Sequence, residues 1–219
     1  MDLAFKIPSI TAKFYKDTDV PLIKNKIENV IETKYGNIID NISNITGLNK
    51  DIIKSFIFIE SAGKETAETP YAVGLMQVSP ATASDGLVKE KGAGRLGKEE
   101  SDLVKKYLGS RYSLIESVKP KQTSIGKTFV TREDLLKPEF NILVGSIIVK
   151  QLLDEFFEGG AVRLDKVAVI YNTGRFSKIG KTVIAHKGTT DELIAKIPVG
   201  QADYIRKLIG TNGTLDILV

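Results

Sequence analysis

Glu60 follows an apolar run, Phe56-Ile57-Phe58-Ile59, and precedes Ser61-Ala62-Gly63. In a helix, Glu60 shares a face with Ile53, Phe56 and Ile57, at i−7, i−4 and i−3. A carboxyl at the rim of such a face loses hydration, which disfavours its charged form and raises its pKa. A glutamate tuned upward to about 6 can serve as a general acid near neutral pH. The same residue also reads as a solvated glutamate in the last turn of a core helix, and periodicity alone does not choose. Gln77, in Gly74-Leu75-Met76-Gln77, carries an amide that can both donate and accept. Tyr171 lies on the apolar stripe Leu164, Val167, Ala168, where its hydroxyl either serves a site or is satisfied in a core.

Helical elements must position these groups. Asn49 can cap the helix that carries Glu60, with Asp51 in its first turn. Upstream, residues 1–20 read as an N-terminal arm docked through Phe5, Phe14 and Tyr15. Pro21 opens a helix whose apolar positions run through Leu22, Ile23, Ile27, Val30 and Ile31. Gly36 should interrupt it, and a second short helix with Ile38, Ile39, Ile42 and Ile45 should stop at Gly47. Gly74 allows a tight turn or a close approach, and Ser79-Pro80 reads as cap and first turn of the next helix.

Further on, an amphipathic helix carries Leu103, Val104, Tyr107, Leu108, Leu114 and Ile115, with a possible break at Gly109. Lys119-Pro120-Lys121-Gln122 reads as a loop, and Thr128-Phe129-Val130 as a short strand. Thr131 to Asp134 begins like a capped turn. A long helix follows Pro138, from about 139 to 157, stopped by Gly159-Gly160, and another covers about 163–172 with Gly174 at its end. A last helix spans about 201–209, and the tail from Thr211 should be mobile or lightly docked.

Composition excludes several classes. With 219 residues, 42% hydrophobic and 26% charged, the chain is an ordinary globular mixture. No apolar run approaches the length of a membrane span, and residues 1–16 lack the h-region of a secretory signal. Cysteine is absent, so thiol and disulfide chemistry are excluded. The net charge of +4 suits a polyanionic partner without selecting one, and no specific nucleic acid is implied. His186, the lone histidine, makes neither a triad nor a metal site and should sit at the surface. The segment 40–51 has Ile42 and Ile45 where a calcium loop needs oxygens. No metal and no cofactor is expected. Gly92-Ala93-Gly94-Arg95-Leu96-Gly97 fits a dinucleotide fingerprint only in spelling: no strand precedes it and no βαβ unit surrounds it, so it reads as a loop.

Glu60-Ser61, Thr69-Pro70 and Gly74-Leu75-Met76-Gln77-Val78-Ser79-Pro80-Ala81-Thr82-Ala83 together resemble the signature of lytic transglycosylases of the lysozyme superfamily, of the soluble type related to goose-type lysozymes. Pro138-Glu139-Phe140-Asn141-Ile142 with Gly145, Ala168-Val169-Ile170-Tyr171-Asn172-Thr173-Gly174 and Ile197-Pro198 to Tyr204-Ile205 extend the likeness over most of the chain. The resemblance implies a mainly α, lysozyme-like domain over 21–219 with a small β-hairpin-like wall. It also implies an inserted lobe at about 86–130, where the usual pattern passes more quickly.

By the same resemblance, Glu60 is the catalytic acid and base, and the substrate is peptidoglycan, cut between N-acetylmuramic acid and N-acetylglucosamine with closure of a 1,6-anhydro ring. Thr69, Met76, Gln77, Tyr171, Asn172, Gln201 and Tyr204 are the implied substrate-binding residues, with Gln77 suited to an acetamido group and Tyr171 near the catalytic carboxyl. Ser79 stands where the family commonly has methionine, and Gln201 where it commonly has glutamate, which affects subsite preference more than cleavage. A hydrolytic muramidase on the same scaffold and a non-catalytic glycan-binding or structural protein are the alternatives. A wall substrate without an export signal fits a phage virion component, the preferred reading, and also an endolysin or a substrate of a specialised secretion machine. Other virion or secretion-apparatus proteins would then be partners.

Overall fold

The computed structural model describes residues 10–119, 121–123 and 125–218; Phe5 and Pro120 lie outside them. Helix dominates. In order come β1 (Ile10–Lys13), α1 (Val20–Lys26), a π-helical turn Ile27–Glu32, α2 (Thr33–Thr46), α3 (Lys50–Ser61), α4 (Pro80–Gly92), α5 (Lys98–Leu108), α6 (Ser113–Glu116), α7 (Arg132–Leu135) and α8 (Pro138–Glu155). Then follow β2 (Phe157–Glu158), β3 (Ala161–Val162), α9 (Leu164–Thr173), α10 (Lys178–Ala185), α11 (Thr190–Lys196), α12 (Val199–Ile209), β4 (Gly210–Thr211) and α13 (Thr214–Leu218). No described helix is long and apolar enough to cross a membrane. The described residues form two compact units: a mid-chain unit within 31–151, and a terminal unit made of 10–30 and 152–218.

In the mid-chain unit, α2 packs on α3, and α8 is buried along residues 140–149. A helix that is apolar nearly all round belongs inside, and Phe140, Ile142, Leu143, Val144, Ile147 and Val149 give α8 that character. Local signals set the ends. Asn49 Oδ1 accepts from the Asp51 amide at 2.7 Å, and Ser79 Oγ accepts from the Thr82 amide at 3.0 Å. Gly47 closes α2 in the left-handed region, and Thr131 caps α7 with a reciprocal bond to Asp134.

Gly36 does not interrupt its helix. The backbone is helical from Val20 to Thr46, and the irregularity lies earlier, in the π turn. Gly36 is buried with Glu32 against it, so close contact outweighs the roughly 1 kcal/mol that glycine costs inside a helix.

The segment 86–130 packs into the mid-chain unit. It begins inside α4, α5 packs on α2, and Val104, Leu108, Ile115 and Val118 are buried in the mid-chain unit. The break at Gly109 is real, with a 3-10 turn, Gly109–Tyr112, between α5 and α6. Thr128-Phe129-Val130 is not a strand: the Phe129 and Val130 amides donate to Ser84 Oγ at 3.0 and 3.1 Å, so a hydroxyl replaces a partner strand.

The terminal unit joins the two chain ends. Strand β1 runs parallel to β4, and α12 packs against α9, α11 and α13. The N-terminal arm is therefore built in: Asn212 Nδ2 donates to Asp17 Oδ1 at 2.6 Å, and the Lys207 ammonium sits 4.5 Å from the Phe14 ring centre. The tail from Thr211 is not loose either, because Thr214 and Leu215 of α13 are buried. Gly159-Gly160 is a hairpin turn rather than a helix stop. Helix α8 ends at Glu155, and the two glycines, with φ of 60° and 85°, join β2 to antiparallel β3. A two-residue turn with both φ positive is the arrangement that favours glycine pairs.

His186 is also not at the surface: it is 8% exposed, and its Nε2 lies 3.0 Å from the Thr189 carbonyl oxygen. Two charged side chains of α9 are buried and answered. Asp165 receives a forked pair of bonds from Arg163, at 3.0 and 2.7 Å, and the Thr190 hydroxyl at 3.1 Å. Lys166 donates to Glu158 at 2.9 Å. Such pairing is what a buried charge requires.

Candidate functional site

Glu60 stands in the last turn of α3, half-buried, immediately before Ser61 and the left-handed Ala62 that ends the helix. The apolar face predicted for it is present: Ile53, Phe56 and Ile57 are fully buried. Ser61 ties this helix end to the turn that follows. Its hydroxyl lies 2.7 Å from the Leu75 carbonyl oxygen and 3.1 Å from that of Ile57, while the Gly63 amide donates to it at 3.2 Å. The serine beside the glutamate thus sets where residues 74–77 sit relative to the end of α3.

Asn141 of α8 holds the same turn from the other side. Its Oδ1 accepts from the Met76 amide at 2.8 Å, and its Nδ2 donates to the Val73 and Leu135 carbonyls, each at 2.8 Å. One buried amide satisfies two backbone groups of a loop that no sheet completes and the carbonyl at the end of α7. Gly74 makes this approach possible, with φ at 80°. A Cβ there would collide with Asn141 Nδ2 and the Leu135 carbonyl oxygen.

The expected hairpin-like wall exists in minimal form. Glu68 bridges Val73, and Val73 bridges Val78, both antiparallel, without a regular strand. Gln77 has φ at 46°, and its Nε2 donates to the Ala67 and Gly74 carbonyls at 2.9 and 2.8 Å. Both partners only accept, so they fix which end of the amide is nitrogen. What Gln77 can offer a ligand is its carbonyl oxygen, an acceptor, rather than the two-way amide expected from its type.

The other implied binding residues fall out differently. Met76 is fully buried, and a Cβ on Gly145 of α8 would run into its side chain, so its side chain packs the unit rather than meeting a glycan. Thr69 is exposed, yet its Oγ1 already accepts from the Ala72 amide at 2.9 Å and the Tyr71 amide at 3.3 Å. Tyr171, Asn172, Gln201 and Tyr204 belong to the terminal unit. Tyr171 and Asn172 lie in the last turns of α9, half-buried and exposed; on α12, Gln201 is half-buried and Tyr204 buried. Thr69, Met76 and Gln77 share the mid-chain unit with Glu60.

Two acids follow Glu60 closely, and both are engaged. Glu65 Oε2 accepts from the Tyr35 hydroxyl at 2.9 Å and lies 3.3 Å from the Lys34 ammonium. These two contacts, Tyr35 first, hold its carboxyl below the ordinary glutamate value, so it stays an anion. Glu68 pairs with Arg132 at 3.1 Å, and Arg132 also donates to the Thr69 carbonyl at 2.9 Å. Among the described residues no group of three or more His, Cys, Asp or Glu is placed to hold a metal ion.

Ser61, Asn141 and Ser84 organise this unit, and none was singled out for that role from sequence. Asn141 carries the clearest signal: a polar residue inside the apolar run from Phe140 to Leu143 must find partners or cost stability. Comparison with protein-family models, with curated proteins and with solved structures gave no match.

Proposed function

We propose that the chain is a peptidoglycan lytic transglycosylase of lysozyme-like type, acting on the wall with Glu60 as both general acid and general base. The observation that carries this reading is the bonded frame around residues 60–77. Ser61 and Asn141 clamp the 73–76 backbone against the end of α3, on the same residues whose order resembles the family signature. A frame of polar bonds to backbone is a means of holding a reacting group and its binding wall in register.

In the proposed reaction, Glu60 protonates the glycosidic oxygen as the bond to the muramic C1 breaks. The neighbouring 2-acetamido group of the substrate stabilises the positive charge developing at C1. The Glu60 carboxylate then takes the proton of the muramic C6 hydroxyl, whose oxygen closes on C1 to give the 1,6-anhydro ring. The scheme uses one carboxyl and consumes no water. The engagement of Glu65 by Tyr35 and Lys34, and of Glu68 by Arg132, favours it over a hydrolase in which a second carboxylate activates water. Gln77 Oε1 suits the N–H of an acetamido group. Tyr171, Asn172, Gln201 and Tyr204 belong to the terminal unit, and their part as glycan contacts is carried by the resemblance alone. No cofactor enters the scheme. Delivery by a phage particle, among other virion proteins, is the proposed route to the wall.

Glu60→Gln tests the assignment. The amide keeps the size of the side chain and cannot deliver a proton, so clearing of a cell-wall suspension should fall by three orders of magnitude or more at unchanged melting temperature. Clearance at the wild-type rate would remove Glu60 from the mechanism.

A further inference from the structure

Tyr71 is 82% exposed, and it stands in a turn, 69–72, whose other residues are bonded to one another and to α7. Thr69 Oγ1 accepts from the Tyr71 and Ala72 amides, and the Thr69 amide donates back to the Ala72 carbonyl at 2.9 Å. Arg132 reaches from α7 to the Thr69 carbonyl and to Glu68, and Pro70 fixes the φ angle immediately before Tyr71. The two residues that follow enter the wall, because Val73 exchanges both backbone bonds with Val78 at 3.1 Å. Tyr71 therefore stands at the tip of the turn that joins Glu68 to Val73, in the same wall as Gln77.

Leaving an aromatic ring in water gains no burial, and ordering the turn that carries it costs entropy, which the bonds of residues 69 and 72 and a proline offset here. That combination describes a preorganised contact. A rigid tyrosine supplies broad amphipathic area with few rotatable bonds, and its face suits the C–H faces of a pyranose ring. We propose that Tyr71 is a specificity-determining platform on which one sugar ring of the glycan stacks, beyond the ring held at Gln77. This rests on the glycan-cleaving reading above. The two carboxylates nearest in the chain, Glu65 and Glu68, are paired with Lys34 and Arg132, so this part of the wall presents paired charges that a neutral sugar tolerates.

The chain has no tryptophan, so Tyr71→Trp in a Glu60→Gln background places a single indole at the proposed platform. Titration with an N-acetylglucosamine oligosaccharide should shift its emission saturably, and binding should be as tight as that of Glu60→Gln alone, measured calorimetrically. Tyr71→Ala should weaken oligosaccharide binding about tenfold, the upper range for one aromatic contact. Tyr71→Phe should bind within twofold of wild type, because stacking needs the ring and not the hydroxyl. Melting temperatures should not change, since the ring packs on no core. Unchanged affinity in Tyr71→Ala, or an indole emission indifferent to sugar, would overturn the proposal. Wall clearing by wild type reports on the transglycosylase reading separately: clearing with a silent Tyr71 sinks only the platform, and sugar-dependent emission without clearing sinks only the enzyme.

Discussion

The wall, residues 61–78, and the segment 86–130 lie in the same compact unit and are held mainly by different means. In the wall, most of the clamps on the backbone are neutral: Ser61, Thr69, Gln77 and Asn141 bond to carbonyls and amides of a loop that has almost no sheet, and Arg132 adds one bond to the Thr69 carbonyl. In the insertion, charged side chains close the segment. Arg95 forks onto buried Glu90 at 3.0 Å in both contacts, Glu100 Oε2 caps the Gly97 amide, and Arg111 binds Asp134 at 2.6 and 2.8 Å and the Phe129 carbonyl at 2.8 Å. The difference is instructive. Neutral clamps hold geometry without adding charge of their own, whereas a charged clamp would shift a nearby carboxyl.

The comparison breaks most sharply at Asn141. Asn141→Leu should cost about 3 kcal/mol or more, because it leaves the Met76 amide and two carbonyls buried without partners. Urea titration measures that loss, and wall-clearing activity should fall further than stability alone explains. A variant with near-normal stability and activity would show that the turn needs no clamp.

Arg111→Ala tests the other side. Losing a forked pair on a mostly buried aspartate should cost about 1–2 kcal/mol, with activity per folded molecule close to wild type. A large fall in turnover without unfolding would mean that the insertion takes part in the site.

A smaller effect sharpens the picture where the insertion meets α8. Glu139 Oε2 accepts from the Lys106 ammonium at 2.6 Å and from the Tyr107 hydroxyl at 2.5 Å. Desolvation pushes its carboxyl up, but these two bonds outweigh it and hold the group below the ordinary 4.5. A carboxyl depressed in the folded state adds stability above the unfolded value and loses it as pH falls through the folded one. Tyr107→Phe should therefore cost about 1 kcal/mol at pH 7, and the gap to wild type should narrow below pH about 4. A gap that stays constant with pH would detach Tyr107 from the carboxylate.

The parts of the fold written in local chemistry were legible in the sequence. Asn49, Ser79 and Thr131 cap helices where expected, Gly47 ends one, and Glu60 sits in the last turn of a helix whose apolar face is buried. What was not legible depends on partners distant in the chain. Gly36 runs through a helix because of its packing, Thr128 to Val130 avoids a strand because Ser84 takes its amides, and the tail is ordered because β4 pairs with β1. Gly159-Gly160 carried its hairpin signal in the open, but the long apolar pattern before it suggested a helix stop. For the site, residue type overstated what side chains can do. Met76 and Thr69 were implied as glycan contacts, yet Met76 is core and the Thr69 hydroxyl is taken by its own loop. No local signal reports whether a polar atom is already bonded.

The central claim concerns the product. Purified peptidoglycan treated with the wild-type chain and with Glu60→Gln, then resolved by mass spectrometry, reads the chemistry directly. The single-carboxyl scheme predicts muropeptides ending in 1,6-anhydro-N-acetylmuramic acid from wild type and none from the mutant. Reducing ends one water heavier would make the chain a hydrolase, and an undigested wall would contradict the enzymatic account altogether.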